Sequence, residues 1–184
     1  MRDKMNTYSG LKFNPMEIEE KDILIEDIGH ALSLICRGGG HLKYFYSVGQ
    51  HSINCAKEAE ARGWTKRVIL ACLLHDASEA YISDIIRPVK RYLTNYLEIE
   101  ERIMDTIFRK FGLGDLSEEE NAQVKQIDDQ MLESELSELI AGGKRIEAPR
   151  LHAAPDLGLR NFMDVENEFI AMTNEYIGEH NLKY

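Results

Sequence analysis

The sequence predicts an all-α fold, and three observations carry that prediction. From about Ile25 onward, apolar residues recur at helical spacing. The run Val68–Leu74, "VILACLL", is apolar on every side, as a central helix buried by its neighbours would be. The periodic segments are separated by helix stops and starts: Gly38-Gly39-Gly40, Gly63, Gly112 and Gly142-Gly143, with Ser47, Thr65 and Ser117 as N-caps.

The elements follow in order. Residues 6–25 read as irregular, with "GLKFNP" and "DILI" offering a short two-stranded piece. "IEDIGHALSLIC" is the first helix and ends at Arg37, before the three glycines. Ser47 opens a helix running to about Arg62-Gly63, and Thr65 opens another from Lys66 to about Tyr81. Pro88 breaks the next segment. One or two amphipathic helices then reach Gly112, and Ser117 opens a helix closed by Gly142-Gly143. A loop with Pro149 and Pro155 leads to a last helix at about 159–177. No repeat or linker divides the chain, so residues 1–184 are expected to form one domain.

The formal net charge of −10 repels nucleic-acid polymers. No stretch approaches the length of a membrane span, and the N-terminus lacks the apolar core of a signal peptide. Cys36, Cys55 and Cys72 lie in apolar surroundings and read as reduced, buried thiols. A cytoplasmic protein is expected from these features.

A charged residue that faces a core needs a partner. In the helix after Ser47, Val48, Ser52, Cys55 and Ala59 make an inward stripe, and His51 lies on or beside it. In the helix around 124–140, Val124, Ile127, Met131, Leu132, Leu136 and Leu139 define the apolar arc. With Val124 at zero, Asp128 falls at about 40° and Asp129 at about 140°. Asp128 therefore points inward, and so does Glu135, at about 20°. His75 and Glu79 are four residues apart on the helix that carries "VILACLL". Asp76 is turned about 100° from His75, so both reach a point between them. Each of these residues alone fits a core hydrogen bond or a salt bridge. Two histidines and two aspartates from three buried helices also fit a divalent metal site with open positions. Mixed nitrogen and oxygen ligation suits Mn, Co, Fe, Ni or Zn better than calcium, and allows Mg.

The order His51, His75-Asp76, Asp128 resembles the HD superfamily of metal-dependent phosphohydrolases. "CRGGGH…YSVGQHS" and "LLHDASEAYISDIIRPVK" resemble its bacterial 5′-deoxyribonucleotidases and their phage-like relatives. The resemblance covers about residues 23–135 and implies an HD-type helical bundle. It implies that His51, His75, Asp76 and Asp128 ligate one divalent metal. It gives Glu79 the attacking water, or a hydrogen-bonding role around it, and Asp84 an acid/base or sugar-binding role. It gives Arg37 the phosphate. Gly38 stands where that branch carries an aromatic residue, so selectivity for deoxyribose is not implied. Arg87, Lys90 and Arg91 either add positive potential at the mouth or form a solvated face.

The implied reaction is hydrolysis of the phosphomonoester of a nucleoside 5′-monophosphate or a similar small phosphate, by a homodimer acting apart from membranes. Alarmone or cyclic-nucleotide hydrolysis is the alternative on the same site. Ala80 after Glu79 departs from the alarmone pattern, and His41 is the only spare histidine near the motif for a second metal. A non-catalytic binding module on the same fold is a third reading.

Overall fold

The computed structural model describes residues 3–142 and 148–180, with side chains through 177. It is all-α apart from one antiparallel strand pair near the N-terminus. β1 (Met5–Asn6) pairs with β2 (Lys12–Phe13), Met5 opposite Phe13. The "GLKFNP" stretch thus forms a strand as expected, but its partner is Met5–Asn6 and not "DILI". That second stretch instead leads into α1 (Ile25–Leu34), and Ile23 is buried in the core.

The three predicted caps hold their helices by side-chain hydrogen bonds. Ser47 accepts from Gln50 N–H to start α2 (Val48–Ala61), and Thr65 accepts from Val68 N–H to start α3 (Lys66–Leu74). Two short helices follow, α4 (Glu79–Ile82) and α5 (Arg87–Lys90), and then α6 (Thr94–Lys110). Pro88 does not break α5. It sits in the first turn, where no N–H is needed. Ser117 and Glu120 form a reciprocal capping box for α7 (Glu118–Leu139). Asn161 accepts from Met163 N–H at the start of α8 (Phe162–His180). Gly142 takes the left-handed conformation expected of a helix stop, whereas Gly143 lies outside the described residues.

The expected helix from 66 to 81 is two helices. At His75–Ser78 the backbone tightens: Ala77 N–H bonds Leu74 C=O and Glu79 N–H bonds Asp76 C=O, each three residues back. A short stretch of this kind turns the chain without glycine or proline.

α2 and α3 pack together at the centre. α8 lies across α1, α2 and α3, while α7 closes the other side of α2 and α3. Ile53, Leu70, Leu73, Leu74 and Phe169 are fully buried there. Each contributes about 1.5–3 kcal/mol of apolar burial. α2 and α1 approach closely at Gly49, where a Cβ would lie 3.3 Å from the Leu32 backbone. Among the described residues, no helix is long and apolar enough to cross a membrane.

α2 also carries a buried polar stripe. Gln50, Asn54 and Glu58, four residues apart, strap the loop before α8 to the core. The Gln50 amide donates to the carbonyls of Asp156 and Gly158, and the Asn54 amide donates to that of Asp156. Glu58 accepts from the N–H groups of His152 and Ala153 and from Arg62.

Candidate metal centre

His51 comes from the first turn of α2, His75 and Asp76 from the tightened turn after α3, and Asp128 from α7. The apolar run of α3 fixes the start of that turn, because all its residues from Val68 to Leu74 are buried. The four side chains meet at one point. His51 Nε2 lies 3.2 Å from His75 Nε2, 3.4 Å from Asp128 Oδ1 and 3.7 Å from Asp76 Oδ2. His75 Nε2 lies 3.3 Å from Asp76 Oδ2 and 3.7 Å from Asp128 Oδ1.

The other nitrogen of each ring is engaged. His75 Nδ1 donates to the Cys72 carbonyl at 2.8 Å. His51 Nδ1 lies 2.6 Å from Glu135 Oε1. With Nδ1 donating in both rings, both Nε2 atoms present lone pairs to each other at 3.2 Å. Such a pair repels unless a proton or a cation lies between. Burial would lower the His75 pKa, but Asp76 and Asp128 raise it well above its ordinary value. Burial would likewise raise both aspartates, but the two histidines hold them well below the carboxylate range. The cluster thus calls for positive charge at its centre.

Cys55 Sγ also lies near. The donor atoms of His51, Cys55 and His75 fall within 4.8 Å of one another, so this buried group too is spaced to hold a metal. The sulfur is 3.6 Å from His51 Nε2 and 4.0 Å from its Nδ1, which puts it to the side of the ring and off the Nε2 lone-pair axis. Burial pushes its thiol well above the ordinary value, which keeps it protonated. Asp76 and Asp128 are the better anionic donors on both counts. Cys72 is buried as expected, while Cys36 is half-buried.

A pocket of about 280 Å³ opens beside this point, with Arg37, Asp76, Glu79, Asp84, Arg87, Lys90, Asp128 and Glu135 among its walls. Leu132 and Leu136, expected in the core, line this pocket instead. Five carboxyl groups and three cations line it; with Glu79 protonated, four carboxylates face Arg37, Arg87 and Lys90. α1 stops at Leu34, before the expected Arg37. An isolated bridge between Cys36 and Ser47 then ties Arg37 to the start of α2, and Arg37 N–H bonds the Tyr46 carbonyl. The buried guanidinium donates from Nη1 to Asp76 and from Nε to Glu135, each at 3.2 Å. Arg87 pairs with Asp128, and with Asp129 at 2.6 Å. Lys90 pairs with Glu100. Arg91 stacks over the exposed Tyr92 ring, so of Arg87, Lys90 and Arg91 it alone lies off the pocket wall.

Glu79 is buried, and its Oε2 has no hydrogen-bond partner among the described residues. Burial first, then Asp76 and Asp84, push its carboxyl up to about 9. Asp84 Oδ2 accepts from Gly38 N–H at 3.3 Å. Ser83, just before Asp84, is the one described non-glycine residue with positive φ, at 66° with ψ 159°. Its carbonyl accepts from Tyr96 OH at 2.8 Å, which holds the turn.

The structure brings all seven residues singled out from the sequence into this region. It adds Tyr46, whose hydroxyl donates to Glu135 Oε1 at 2.8 Å. No sequence pattern marked Tyr46. Glu135 was visible only as an inward position on the α7 wheel.

Fold and centre together define an all-α protein in which His51, Cys55 and His75 are spaced to hold a metal ion, with Asp76 and Asp128 close beside them. The chain is 34% identical over 154 residues to the uncharacterized protein RCAP_rcc00048 of Rhodobacter capsulatus, covering 80% of this chain and 78% of that one. It belongs to the family of that protein. It is also 42% identical over 109 residues to the uncharacterized protein YfdR of Escherichia coli, covering 59% of this chain and 58% of YfdR. The chain thus spans less than two thirds of the length of YfdR. No family model matches it.

Proposed function

We propose that this chain is a divalent-metal-dependent phosphohydrolase of the HD type, acting on the phosphomonoester of a nucleoside 5′-monophosphate or a similar small phosphate. The observation that carries the reading is the meeting of two histidine Nε2 atoms and two aspartate oxygens at 3.2–3.7 Å. Donors on one first-row ion, bound at about 2.0–2.2 Å, lie about 3.0–3.5 Å apart. His51, His75, Asp76 and Asp128 would hold one ion, of Mn, Co, Fe, Ni, Zn or Mg. The ion would supply charge for phosphate oxygens and a water of lowered pKa.

The rest of the chemistry falls to the chain. Arg37 offers a planar fork that matches phosphate geometry, with Nε held by Glu135 and Nη1 by Asp76. Arg87 and Lys90 add positive potential at the pocket wall. Glu79 holds a proton at neutral pH beside Asp76 and is the group able to deliver it to a leaving oxygen. Asp84, with Oδ2 fixed by Gly38, offers Oδ1 to water or to a sugar hydroxyl.

The test is phosphate release from a panel of nucleoside 5′-monophosphates, nucleoside diphosphates and cyclic nucleotides, with each metal in turn. Release from a monophosphate that is lost in Asp128→Asn supports the reading. Protein of confirmed metal content that releases nothing from any monophosphate overturns it.

A further inference from the structure

Glu135 is the buried group that touches both halves of the site. Its Oε1 meets His51 Nδ1 at 2.6 Å and accepts from Tyr46 OH at 2.8 Å. Its Oε2 accepts from Arg37 Nε at 3.2 Å. His51 faces the metal cluster through its other nitrogen, and Arg37 reaches Asp76 through Nη1. Tyr46 is itself fixed by the Asn54 amide at 3.0 Å and is fully buried.

Resting on the function proposed above, we infer that Glu135 is a shared positioning residue. One carboxylate oxygen sets the tautomer and aim of the metal-facing His51, and the other sets the guanidinium of the phosphate-facing Arg37. A neutral amide cannot do both jobs at once. A carboxylate presents two acceptors, whereas glutamine presents one acceptor and one donor. If the amide oxygen stays with His51 and Tyr46, its NH₂ faces the Arg37 N–H. If the amide flips, His51 Nδ1 must accept, its proton moves to Nε2, and that nitrogen can no longer take a metal. The first orientation satisfies two donors and is the one expected. Partners of this kind typically change metal affinity by about 10–100-fold when removed.

The experiment uses the full chain and two readouts: Co²⁺ affinity from its visible absorption, and KM against kcat for the best monophosphate at saturating Co²⁺. Glu135→Ala should weaken Co²⁺ binding by about 10–100-fold and raise KM. Glu135→Gln should raise KM by about tenfold while Co²⁺ affinity moves much less, the signature of a lost Arg37 arm. If either arm keeps its wild-type value in folded Glu135→Ala, the carboxylate is not shared and the inference falls. Should that variant fail to fold, Glu135→Asp carries the test: one methylene shorter, it cannot span both groups and must lose at least one arm. Wild-type protein that binds Co²⁺ without hydrolysis sinks the proposed activity, and the Co²⁺ arm alone then decides for Glu135. Wild-type protein that binds no Co²⁺ overturns both.

Discussion

Replacing Ser83 with glycine should stabilise the protein. At φ 66° and ψ 159°, Ser83 occupies a region used almost only by glycine. Holding another residue there costs about 1–3 kcal/mol. Glycine loses about 0.5–1 kcal/mol more backbone freedom on folding. The side chain is exposed, so its removal leaves no cavity. The Tyr96 bond goes to the backbone carbonyl and survives. The net gain is therefore about 1 kcal/mol, or a rise of about 2–4 °C in Tm for a chain of this size. Ser83→Ala keeps the Cβ and should gain nothing. Thermal unfolding followed by circular dichroism decides. An unchanged or lower Tm in Ser83→Gly, or an equal gain in Ser83→Ala, would refute the reasoning from strain.

Three further outcomes are expected. Glu58→Gln should cost about 1–3 kcal/mol in urea unfolding at neutral pH, because the amide has one acceptor where Arg62 and the N–H groups of His152 and Ala153 use two. Burial would raise the Glu58 carboxyl, but the N–H groups of Ala153 and His152 and then Arg62 lower it below its ordinary 4.5. Its stabilisation is therefore complete above the unfolded value and is lost as pH falls through the lower folded one, so the penalty of the substitution should shrink in acid. Gly49→Ala should destabilise by about 1–2 kcal/mol, although alanine favours helix, since the new Cβ would press on the Leu32 backbone; a gain in Tm would contradict that contact. Mn²⁺ at about 100 times its Kd should add about 2.7 kcal/mol. Differential scanning fluorimetry should show the rise, a chelator should reverse it, and Asp128→Asn should abolish it.

What could be read from the sequence was whatever local geometry determines. Ser47, Thr65 and Ser117 were legible as caps because a short polar side chain before an apolar run has few other uses. Asp128 was separable from Asp129 because 100° of helix turn puts one toward His51 and the other toward Lys125, with Arg87 reaching both. The break after Leu74 was not legible: "HDASEAY" holds no glycine or proline, and the one distant group its backbone bonds, Met104 Sδ of α6 to Ser78 N–H, lies far along the chain. The polar stripe Gln50, Asn54 and Glu58 was hidden for the same reason. Its partners lie about a hundred residues away, in a loop without periodicity. Glu135 showed its direction but not its task, because His51 and Arg37 meet it only in the folded chain.

The three glycines after Arg37 bear on how this pocket can change over generations. Gly38, Gly39 and Gly40 all have positive φ, between 61° and 80°. Any side chain grown there carries backbone strain. Variation in what the pocket admits is thereby directed to Leu42, Ile86, Leu132 and Leu136, aliphatic wall residues that bear no metal-facing donor atom. On the function proposed above, a lineage could trade one substrate for another on that wall while the histidines and carboxylates stay untouched.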